Sequence, residues 1–427
     1  MANNFQNSLD LFKKAKRKIP LASQTFSKSQ ISYNFENGPI FLDRGRGAFV
    51  WDIDGNKYLD YVIGLLPNIL GYNDIDVNRS IVSQLKNGIS FSMPTKLEYL
   101  LAEMLIDLVP SAEMVRFAKN GSDVTSAAIR LARAYTKRDK IITCGYHSWH
   151  DWYIGTTEKD EGVPESTKKL TIKTKFNDFS SLKRIIDENN NEIAGLIIEP
   201  EGMVEEKHNF LNKVRKLTKK KGIVLIFDEI VSGFRSSIGG AQKKFGITPD
   251  LTTLGKAMAN GMPLAALVGK KEIMKKLENI FFSATSSGET LSIAASIATI
   301  KKIREQNVVD KLIKYGKKIK LRLSEKKQEN DIEDLLDVRG PDWRPFIYTK
   351  ESQIIPKDSL TLLLRDELIK KKILFGTGFN LCLPHISKSI EEKTIKSFNE
   401  IFFSLKKNIK AGKFRSLGQK FEVRKYN

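Results

Sequence analysis

The sequence is poor in the residues that build disulfide frameworks and metal sites. It has two cysteines, Cys144 and Cys382, and four histidines in 427 residues. Two cysteines are too few for a disulfide scaffold and suit a reducing compartment, so we expect a cytoplasmic protein. His147 and His150 have no third ligand at a suitable spacing, whereas zinc sites take three or four. We therefore expect no metal site.

Long apolar stretches are also missing. No run approaches the length of about eighteen residues that a membrane-spanning helix needs. The N-terminal segment lacks an apolar core of signal-peptide length. Within it, LDLFKKAKRK fits a basic amphipathic helix at a membrane surface or an arm that packs on a partner subunit. We expect the arm. We expect a soluble chain without membrane contact.

Acidic residues are too few to balance the basic ones. Against 71 Lys and Arg there are 50 Asp and Glu, which gives a formal net charge of +21. A charge of this size permits a nucleic-acid-binding or scaffold role, which is the competing hypothesis. The lysines, however, are spread over helical surfaces, and no aromatic residues alternate with them as in a single-strand binding motif. We expect no nucleic-acid partner.

The order of segments predicts the domains. Residues 77–300 alternate between strands and helices, which indicates an α/β fold with a mostly parallel sheet flanked by helices. Residues 1–76 are predicted to form an N-terminal arm and part of a small domain, with a hairpin turn at Asp54-Gly55. Residues 301–427 are predicted to form a C-terminal small domain. The expected small domain is thus α+β and built from both termini.

Two charged residues follow strand-like segments in the middle of the chain. Asp228 ends the run that starts at Val224, and Lys256 follows Leu251–Leu254 after one glycine. The carboxyl ends of parallel strands meet at one crevice, so we expect both groups to face one cavity. Singly, Asp228 also fits a helix cap and Lys256 a surface charge. Together they offer what pyridoxal 5'-phosphate (PLP) needs, an amine for its aldehyde and a carboxylate for its ring nitrogen.

A turn of small residues precedes the helix-like segment Asp123–Tyr135. Gly121 and Ser122 in this turn would present backbone N–H groups and the positive end of the helix dipole, which suits a phosphate. Ser122 also fits an ordinary N-cap. Tyr146 follows another predicted strand and would place an aromatic ring at the same opening, or belong to the core.

These segments resemble the class III pyridoxal-phosphate-dependent aminotransferases, most closely the glutamate-1-semialdehyde 2,1-aminomutase branch. The resemblance extends from about Gly38 to Pro384 and includes LIIEPEG and the long stretch FDEIVSGFRSSIGGAQKKFGITPDLTTLGKAMANGMPLAALVG. It implies fold type I of the PLP-dependent transferases, PLP as cofactor, small amine and carbonyl substrates, and a homodimer with shared active sites.

The resemblance also implies a role for each matching residue. Lys256 would be the Schiff-base lysine and Asp228 the partner of the pyridine nitrogen. The other implied cofactor contacts are Ile230 packing against the ring, Tyr146 stacking on it, Gly121 and Ser122 holding the phosphate, and Thr285 reaching the phosphate of the neighbouring subunit's cofactor.

The departures from the aminomutases fall on the substrate side. Gly64-Leu65-Leu66-Pro67 stands where the aminomutases have SWGP with a pocket tryptophan. Where the aminomutases have an arginine that binds the substrate carboxylate, this sequence offers only Lys28. Its ammonium group cannot form the two parallel hydrogen bonds that a guanidinium forms with a carboxylate. Trp149, Glu199 and Glu289 are further candidates for substrate contact. Alternatively, Glu199 belongs to a rigid turn, and Trp149 and Glu289 are ordinary surface residues without a ligand.

These observations predict a PLP-dependent transaminase that transfers an amino group between an amine donor and a small carbonyl compound. The freed Lys256 would move the proton. The alternative within the family is a glutamate-1-semialdehyde 2,1-aminomutase of tetrapyrrole precursor synthesis, which returns the amine to another carbon of the same molecule.

Overall fold

The computed structural model describes residues 5–33, 38–353 and 355–412. Within these ranges the chain forms two compact units. The central unit comprises residues 75–310, and the terminal unit comprises the described residues up to 74 and from 311 onward. Residues 413–427 of the predicted C-terminal domain lie outside the described residues.

Helices and strands alternate along most of the chain. The helices are α1 (Gln6–Ala15), α2 (Ile75–Leu85), α3 (Lys96–Leu108), α4 (Gly121–Thr136), α5 (Asp151–Ile154), α6 (Glu165–Lys168), α7 (Phe179–Glu188), α8 (Phe210–Lys221), α9 (Gly240–Phe245), α10 (Lys271–Met274), α11 (Thr290–Glu305), α12 (Val308–Glu329), α13 (Lys357–Lys370) and α14 (Lys388–Lys410). The strands are β1 (Leu42–Arg46), β2 (Phe49–Asp52), β3 (Lys57–Asp60), β4 (Met114–Ala118), β5 (Lys140–Cys144), β6 (Thr171–Lys173), β7 (Ile193–Ile198), β8 (Val224–Glu229), β9 (Leu251–Leu254), β10 (Ala265–Gly269), β11 (Leu336–Arg339), β12 (Phe346–Thr349) and β13 (Ile373–Leu374). In the described part of the chain, no helix combines the length and the apolarity needed to cross a membrane.

The central unit is built on a seven-stranded sheet with the order β4-β10-β9-β8-β7-β5-β6. The five strands β9, β8, β7, β5 and β6 are parallel to one another, whereas β10 is antiparallel to both β9 and β4. β7 and β8 are buried at every position, as expected of strands covered on both faces. The predicted α/β class with a mostly parallel sheet is confirmed.

The two faces of this sheet carry separate apolar cores. On β8, Val224 and Ile226 belong to the core that includes α4. Leu225 and Phe227 belong to the opposite core, which includes α7 and α8. The alternation follows from the two-residue period of a strand. It places Asp228, the next residue, on the α4 face at the carboxyl end of β8.

The terminal unit contains a four-stranded sheet, β1-β2-β3-β13, and a two-stranded sheet, β11-β12. β2 and β3 pair antiparallel around Asp54-Gly55, where Gly55 has a φ of +84°. This is the turn that the Asp-Gly dipeptide predicts. β13 pairs in parallel with β3, so strands from both ends of the chain share one sheet. The expected smaller α+β unit from both termini is therefore confirmed.

An ion pair joins the segments that precede α4 and α11. Glu289 stands directly before α11 and accepts hydrogen bonds from the backbone N–H groups of Leu291 and Ser292. Lys119 Nζ lies 2.8 Å from Glu289 Oε2, and the two side chains are 16% and 14% exposed. Burial raises the pKa of the Glu289 carboxyl, but the hydrogen bonds from Lys119 and the first turn of α11 outweigh it and hold the pKa below its ordinary value.

Replacing this carboxyl tests the ion pair. Glu289→Ala is expected to lower the free energy of unfolding near neutral pH by about 1–2 kcal/mol, because α11 loses its cap and Lys119 loses its partner. A carboxyl whose pKa is depressed by folding stabilises the fold above its unfolded pKa, and the stabilisation is lost as the pH falls through the folded pKa. The deficit should therefore shrink from about pH 4 downward.

Urea unfolding of the variants over this pH range is the measurement. Glu289→Gln is the matched control, because it keeps the shape and an acceptor but not the charge. Its deficit should be smaller at neutral pH and should disappear where the wild-type carboxyl is protonated. A deficit of either variant that does not depend on pH would contradict a stabilising ion pair.

Candidate active site

Asp228 is a buried carboxyl group held by hydrogen bonds at both oxygens. Its Oδ1 accepts from the backbone N–H of Ile230 and from the hydroxyl of Thr253, each at 3.1 Å. Its Oδ2 lies 2.8 Å from Nδ1 of His147. The residue is 4% exposed. Contacts from three segments therefore fix its orientation at the edge of the sheet where open α/β folds bind ligands.

His147 is the partner of Asp228 that was not predicted from the sequence. Its side chain is fully buried, and its ring packs edge-on against Tyr153 with the centroids 5.6 Å apart. Nε2 is buried without a hydrogen bond to any described residue. Nδ1 makes the contact with Asp228 and is the donor, because a carboxylate oxygen accepts. The sequence does not predict this pair, because His147 follows β5 and comes close to Asp228 on β8 only through the order of the strands in the sheet. No group of three or more His, Cys, Asp or Glu side chains in the described ranges could hold a metal ion.

Lys256 starts the turn at the carboxyl end of β9, the strand next to β8. The register of the two strands pairs Asp228 with Thr253, so Lys256 emerges at the same edge of the sheet. Its φ is +42°, a left-handed conformation that costs a non-glycine residue about 1 kcal/mol or more. Strained residues of this kind are concentrated at functional sites, which supports a functional role for this lysine.

Ile230 lies between the turns that contain Gly121 and Lys256. A Cβ atom at Gly121 would lie 3.3 Å from two atoms of the Ile230 side chain, and a Cβ atom at Gly255 would lie 3.1 Å from its Cδ1. The absence of a side chain at both glycines lets the two turns close on Ile230. Three segments that are distant in the sequence thus meet next to Asp228.

The N-terminus of α4 forms the part of this region that suits an anion. Asn120 is the N-cap and Gly121 the first helical residue. The first N–H groups of a helix have no partner within it and lie at the positive end of its dipole. One backbone N–H of this turn is already used, because the Asn120 N–H donates to Oδ2 of Asp123 at 2.9 Å. Ser122 Oγ lies 3.4 Å from the backbone nitrogen of Trp149.

Tyr146 is half-buried beside the same core as Ile230. Its ring packs edge-on against Tyr153, with the centroids 5.4 Å apart and an interplanar angle of 83°. Its backbone N–H donates to Oε2 of Glu199 at 3.3 Å. Glu199 follows β7, the strand between β5 and β8, so both residues stand at the edge of the sheet that carries Asp228.

The other predicted residues have different surroundings. Trp149 is 68% exposed. Thr285 is exposed in the segment before α11, and the carboxyl of Glu289 is engaged by the ion pair and the helix cap described above. Lys28 is exposed and belongs to the terminal unit. The residues predicted to contact a cofactor, apart from the exposed Thr285, thus stand at one edge of the sheet.

The assembled residues fit PLP. Asp228 offers a fixed carboxyl group for a ring nitrogen, and Lys256 offers an amine one strand away. Ile230 offers an apolar surface for a flat ring, and Gly121 leaves the space next to it open. The N-terminus of α4 suits the phosphate. A phosphorylated heteroaromatic aldehyde uses each of these features.

Comparison with known proteins agrees with this chemistry. The family model described as Aminotransferase class-III matches residues 31–341. The 3-aminobutyryl-CoA aminotransferase of Cloacimonas acidaminovorans (strain Evry) is 36% identical over 413 residues, which are 94% of this chain and 97% of that protein. The glutamate-1-semialdehyde 2,1-aminomutase of Chloroherpeton thalassium is 42% identical over 332 residues, which are 73% of this chain and 76% of that protein.

Solved structures of similar fold include an omega-transaminase from Sphaerobacter thermophilus, with a TM-score of 0.85 and 27% identity over 94% of this chain and 99% of that one. The PLP internal aldimine form of the FumI protein of Sphingopyxis sp. MTA144 has a TM-score of 0.88 and 26% identity, over 95% of this chain and 98% of that one. The family model matches most of the chain, and the two relatives are 36% and 42% identical to it, so this chain is an enzyme of the class III aminotransferase family.

Proposed function

We propose that the chain is a PLP-dependent aminotransferase that moves an amino group from an amine donor to a separate small carbonyl compound. The observation that carries the proposal is the convergence of Asp228, of Gly121 and of Gly255, the residue before Lys256, around Ile230 in a chain of this family. When bound, PLP supplies an aldehyde that accepts the amine and a ring that withdraws electrons.

Lys256 and Asp228 have complementary roles in this proposal. The amine of Lys256 would bind the aldehyde carbon and, once displaced by the substrate amine, would serve as the base that moves a proton from the substrate carbon. Asp228 would accept a hydrogen bond from the protonated ring nitrogen. Because His147 and Thr253 already hold its carboxyl group, no reorientation is needed when charge develops on the ring.

The remaining residues would position the cofactor. Gly121 and Ser122 would bind the phosphate through the N-terminus of α4. Ile230 would pack against one face of the ring, and Tyr146 would stack on the other.

Transfer between two molecules is favoured over an intramolecular shift. The alignment with the aminotransferase covers 94% of the chain, whereas the alignment with the aminomutase, although higher in identity, covers 73%. The substrate-side segment Gly64-Leu65-Leu66-Pro67 also departs from the aminomutase pattern. The name of the aminotransferase relative makes 3-aminobutyryl-CoA one of the amines to test, and the aminomutase activity is the alternative.

We further propose a homodimer in which Thr285 reaches the phosphate of the other subunit's cofactor. The proposal is supported by exposed large apolar side chains in the central unit, most of them between residues 75 and 106, since large apolar groups left on a surface often belong to an interface. They are Ile75, Val82, Leu85, Ile89, Phe91, Met93, Tyr99, Ile106 and Phe281. Thr285 itself is exposed and lies close in sequence to Phe281.

We also infer a cytoplasmic location. Cys144 and Cys382 are both buried, and neither forms a disulfide bond. Burial, and secondly the nearby Glu199, raise the pKa of the Cys144 thiol to about 12. Buried cysteines outside disulfide bonds suit a reducing compartment.

An absorbance spectrum of the purified protein supplied with PLP tests the proposed function. A band near the edge of the visible range is expected, and it should be absent from Lys256→Ala but unchanged in Lys243→Ala, a control at an exposed lysine of α9. The amines 3-aminobutyryl-CoA, glutamate, 4,5-diaminovalerate and amino sugars are then added one at a time. The amine that serves as donor should bleach the band. The absence of any band that depends on Lys256 would refute the proposal. Isomerisation of glutamate-1-semialdehyde without an external amine would instead support the aminomutase.

Variants of His147 test how Asp228 is held. His147→Leu is expected to slow the bleaching step about tenfold, because it leaves Oδ2 of Asp228 without its donor. His147→Asn retains an N–H donor near the position of Nδ1 and should recover most of the rate. Asp228→Asn should be slower by on the order of 10²- to 10³-fold. Equal rates for His147→Leu and His147→Asn would show that the hydrogen bond from His147 does not position the Asp228 carboxyl group.

The dimer is tested by changing one exposed phenylalanine at a time. Phe281→Asp should raise the dimer dissociation constant about 30-fold or more, because a charge would enter an apolar interface. Phe403→Asp is the matched control, since Phe403 is 81% exposed but lies in α14 of the terminal unit, whereas Phe281 is 87% exposed. Sedimentation equilibrium should give about twice 48.4 kDa for the wild type and the control. A monomeric wild type would contradict the dimer.

A further inference from the structure

The segment that carries Thr285 lies on the core of the central unit without a neighbouring strand. Residues 280–289, all within a described range, form neither helix nor strand. Ile280 and Phe282 pack against the core that includes α4, whereas Phe281 between them is 87% exposed. This alternation is that of an extended chain with one face on the core. The backbone of such a segment needs hydrogen-bond partners other than a strand to keep one position.

Two arginine side chains provide these partners at the start of the segment. Nη2 of Arg116 donates to the carbonyl oxygen of Phe282 at 2.9 Å. Nη1 of Arg130 donates to the carbonyl oxygen of Phe281 at 3.0 Å. Arg116 lies on β4, an edge strand of the sheet, and Arg130 lies on α4. Two consecutive carbonyl groups are therefore held from two different elements.

The other end of the segment is held as well. Glu289 pairs with Lys119 at 2.8 Å and caps α11. Between the two ends the chain turns, because the Ser287 N–H donates to the carbonyl oxygen of Ala284 at 3.0 Å. Thr285 is the second residue of this turn and is exposed. Its hydroxyl group therefore stands on a short turn whose two ends are fixed by β4, α4 and the residue between them.

The two arginines contribute more to the position of the segment than to the stability of the core. Both are exposed, and hydrogen bonds of exposed side chains add little stability, because water offers the same groups other partners. In the proposed dimer, Phe281 lies in the interface, where the carbonyl groups next to it would be shielded from water. A shielded carbonyl group needs a donor, and the arginines provide one for each.

We propose that Arg116 and Arg130 are positioning residues that hold the segment 280–289 where Thr285 reaches the cofactor phosphate of the partner subunit. The inference rests on the proposed dimer with shared active sites and deepens it by identifying what fixes the contact between the subunits. Neither arginine would touch the cofactor. Their effect would pass through Thr285 and would appear in the active site of the other subunit.

Binding of PLP and of pyridoxal, which lacks the phosphate, tests the effect on the phosphate. The double variant Arg116→Met/Arg130→Met keeps apolar side chains but loses both donors. Its Kd for PLP should rise about tenfold, because a hydrogen bond to a charged group is lost, whereas its Kd for pyridoxal should not change. Titration of the Lys256-dependent band gives both constants. Equal rises for the two aldehydes, or no rise for PLP, would overturn the inference.

Two further substitutions serve as controls. Arg116→Lys/Arg130→Lys retains a donor on each side chain and should recover most of the affinity for PLP. Arg138→Met is the matched control, because Arg138 also donates to backbone carbonyl oxygens, those of Ile193 and Lys221, but at the amino ends of β7 and β8. It should leave both Kd values unchanged, whatever its Tm. A rise in Kd for PLP as large as that of the double variant would indicate general destabilisation and would contradict the inference.

A double-mutant cycle with Thr285→Val tests whether the arginines act through Thr285. Thr285→Val alone should raise Kd for PLP about tenfold. The arginine substitutions added to Thr285→Val should cause no further rise, because residues that act through one contact have non-additive effects. A further tenfold rise in the combined variant would show that the arginines act independently of Thr285 and would overturn the inference.

Mixed dimers, purified through two different affinity tags, test the transfer between subunits. When the arginine double variant is paired with a Lys256→Ala chain, the remaining Lys256 receives Thr285 from the chain with intact arginines. Kd for PLP should then be that of the wild type. When both changes are on one chain and the partner is wild type, Kd should be raised. A raised Kd in the first arrangement only would place the effect of the arginines in their own subunit and would overturn the inference.

The outcomes separate this inference from the function on which it rests. A raised Kd of Thr285→Val with an unchanged Kd of the arginine double variant would overturn the inference alone. An unchanged Kd of Thr285→Val, or a monomeric wild type, would overturn the proposed contact between subunits and the inference with it. Absence of a Lys256-dependent band would overturn the aminotransferase proposal as well.

Discussion

The fixed position of the Asp228 carboxyl group is the interaction on which the rest of the site depends. Its partners come from three places, His147 after β5, Thr253 on β9 and the Ile230 backbone directly after β8. A buried carboxyl group needs such partners, because without them its burial is strongly unfavourable. The hydrogen bonds therefore connect parallel strands at their carboxyl ends and set the position from which the cofactor ring would be bound.

Contacts between distant segments hold the residues that are proposed to bind the cofactor. Gly121 and Gly255 both approach the side chain of Ile230, and the Lys119–Glu289 ion pair joins the segments that precede α4 and α11. The proposed cofactor site therefore depends on packing between parts of the chain that are far apart in the sequence.

The sequence predicts the elements that carry the cofactor-side residues because their signals are local. The apolar run before Asp228 and the strand Leu251–Leu254 before Lys256 are found where the pattern places them, whereas α4 begins at Gly121, two residues earlier than predicted, so Gly121 and Ser122 belong to its first turn. The Asp228–His147 contact is not predictable in this way. It depends on the order of strands in the sheet, which is a long-range property. The partner of Glu289 is hidden for the same reason, since Lys119 lies 170 residues away in the sequence, and a surface glutamate and a helix cap share one local pattern.

Among the 71 lysine and arginine residues of the chain, Lys256 is the one proposed to bind the cofactor aldehyde. Reduction of the PLP-loaded protein with borohydride, followed by digestion and mass spectrometry, tests this assignment. We expect one pyridoxyl group per chain, on the peptide that contains Lys256, and a much lower yield in Asp228→Asn at limiting PLP. Labelling distributed over several exposed lysines, with Lys256 unmodified, would contradict it.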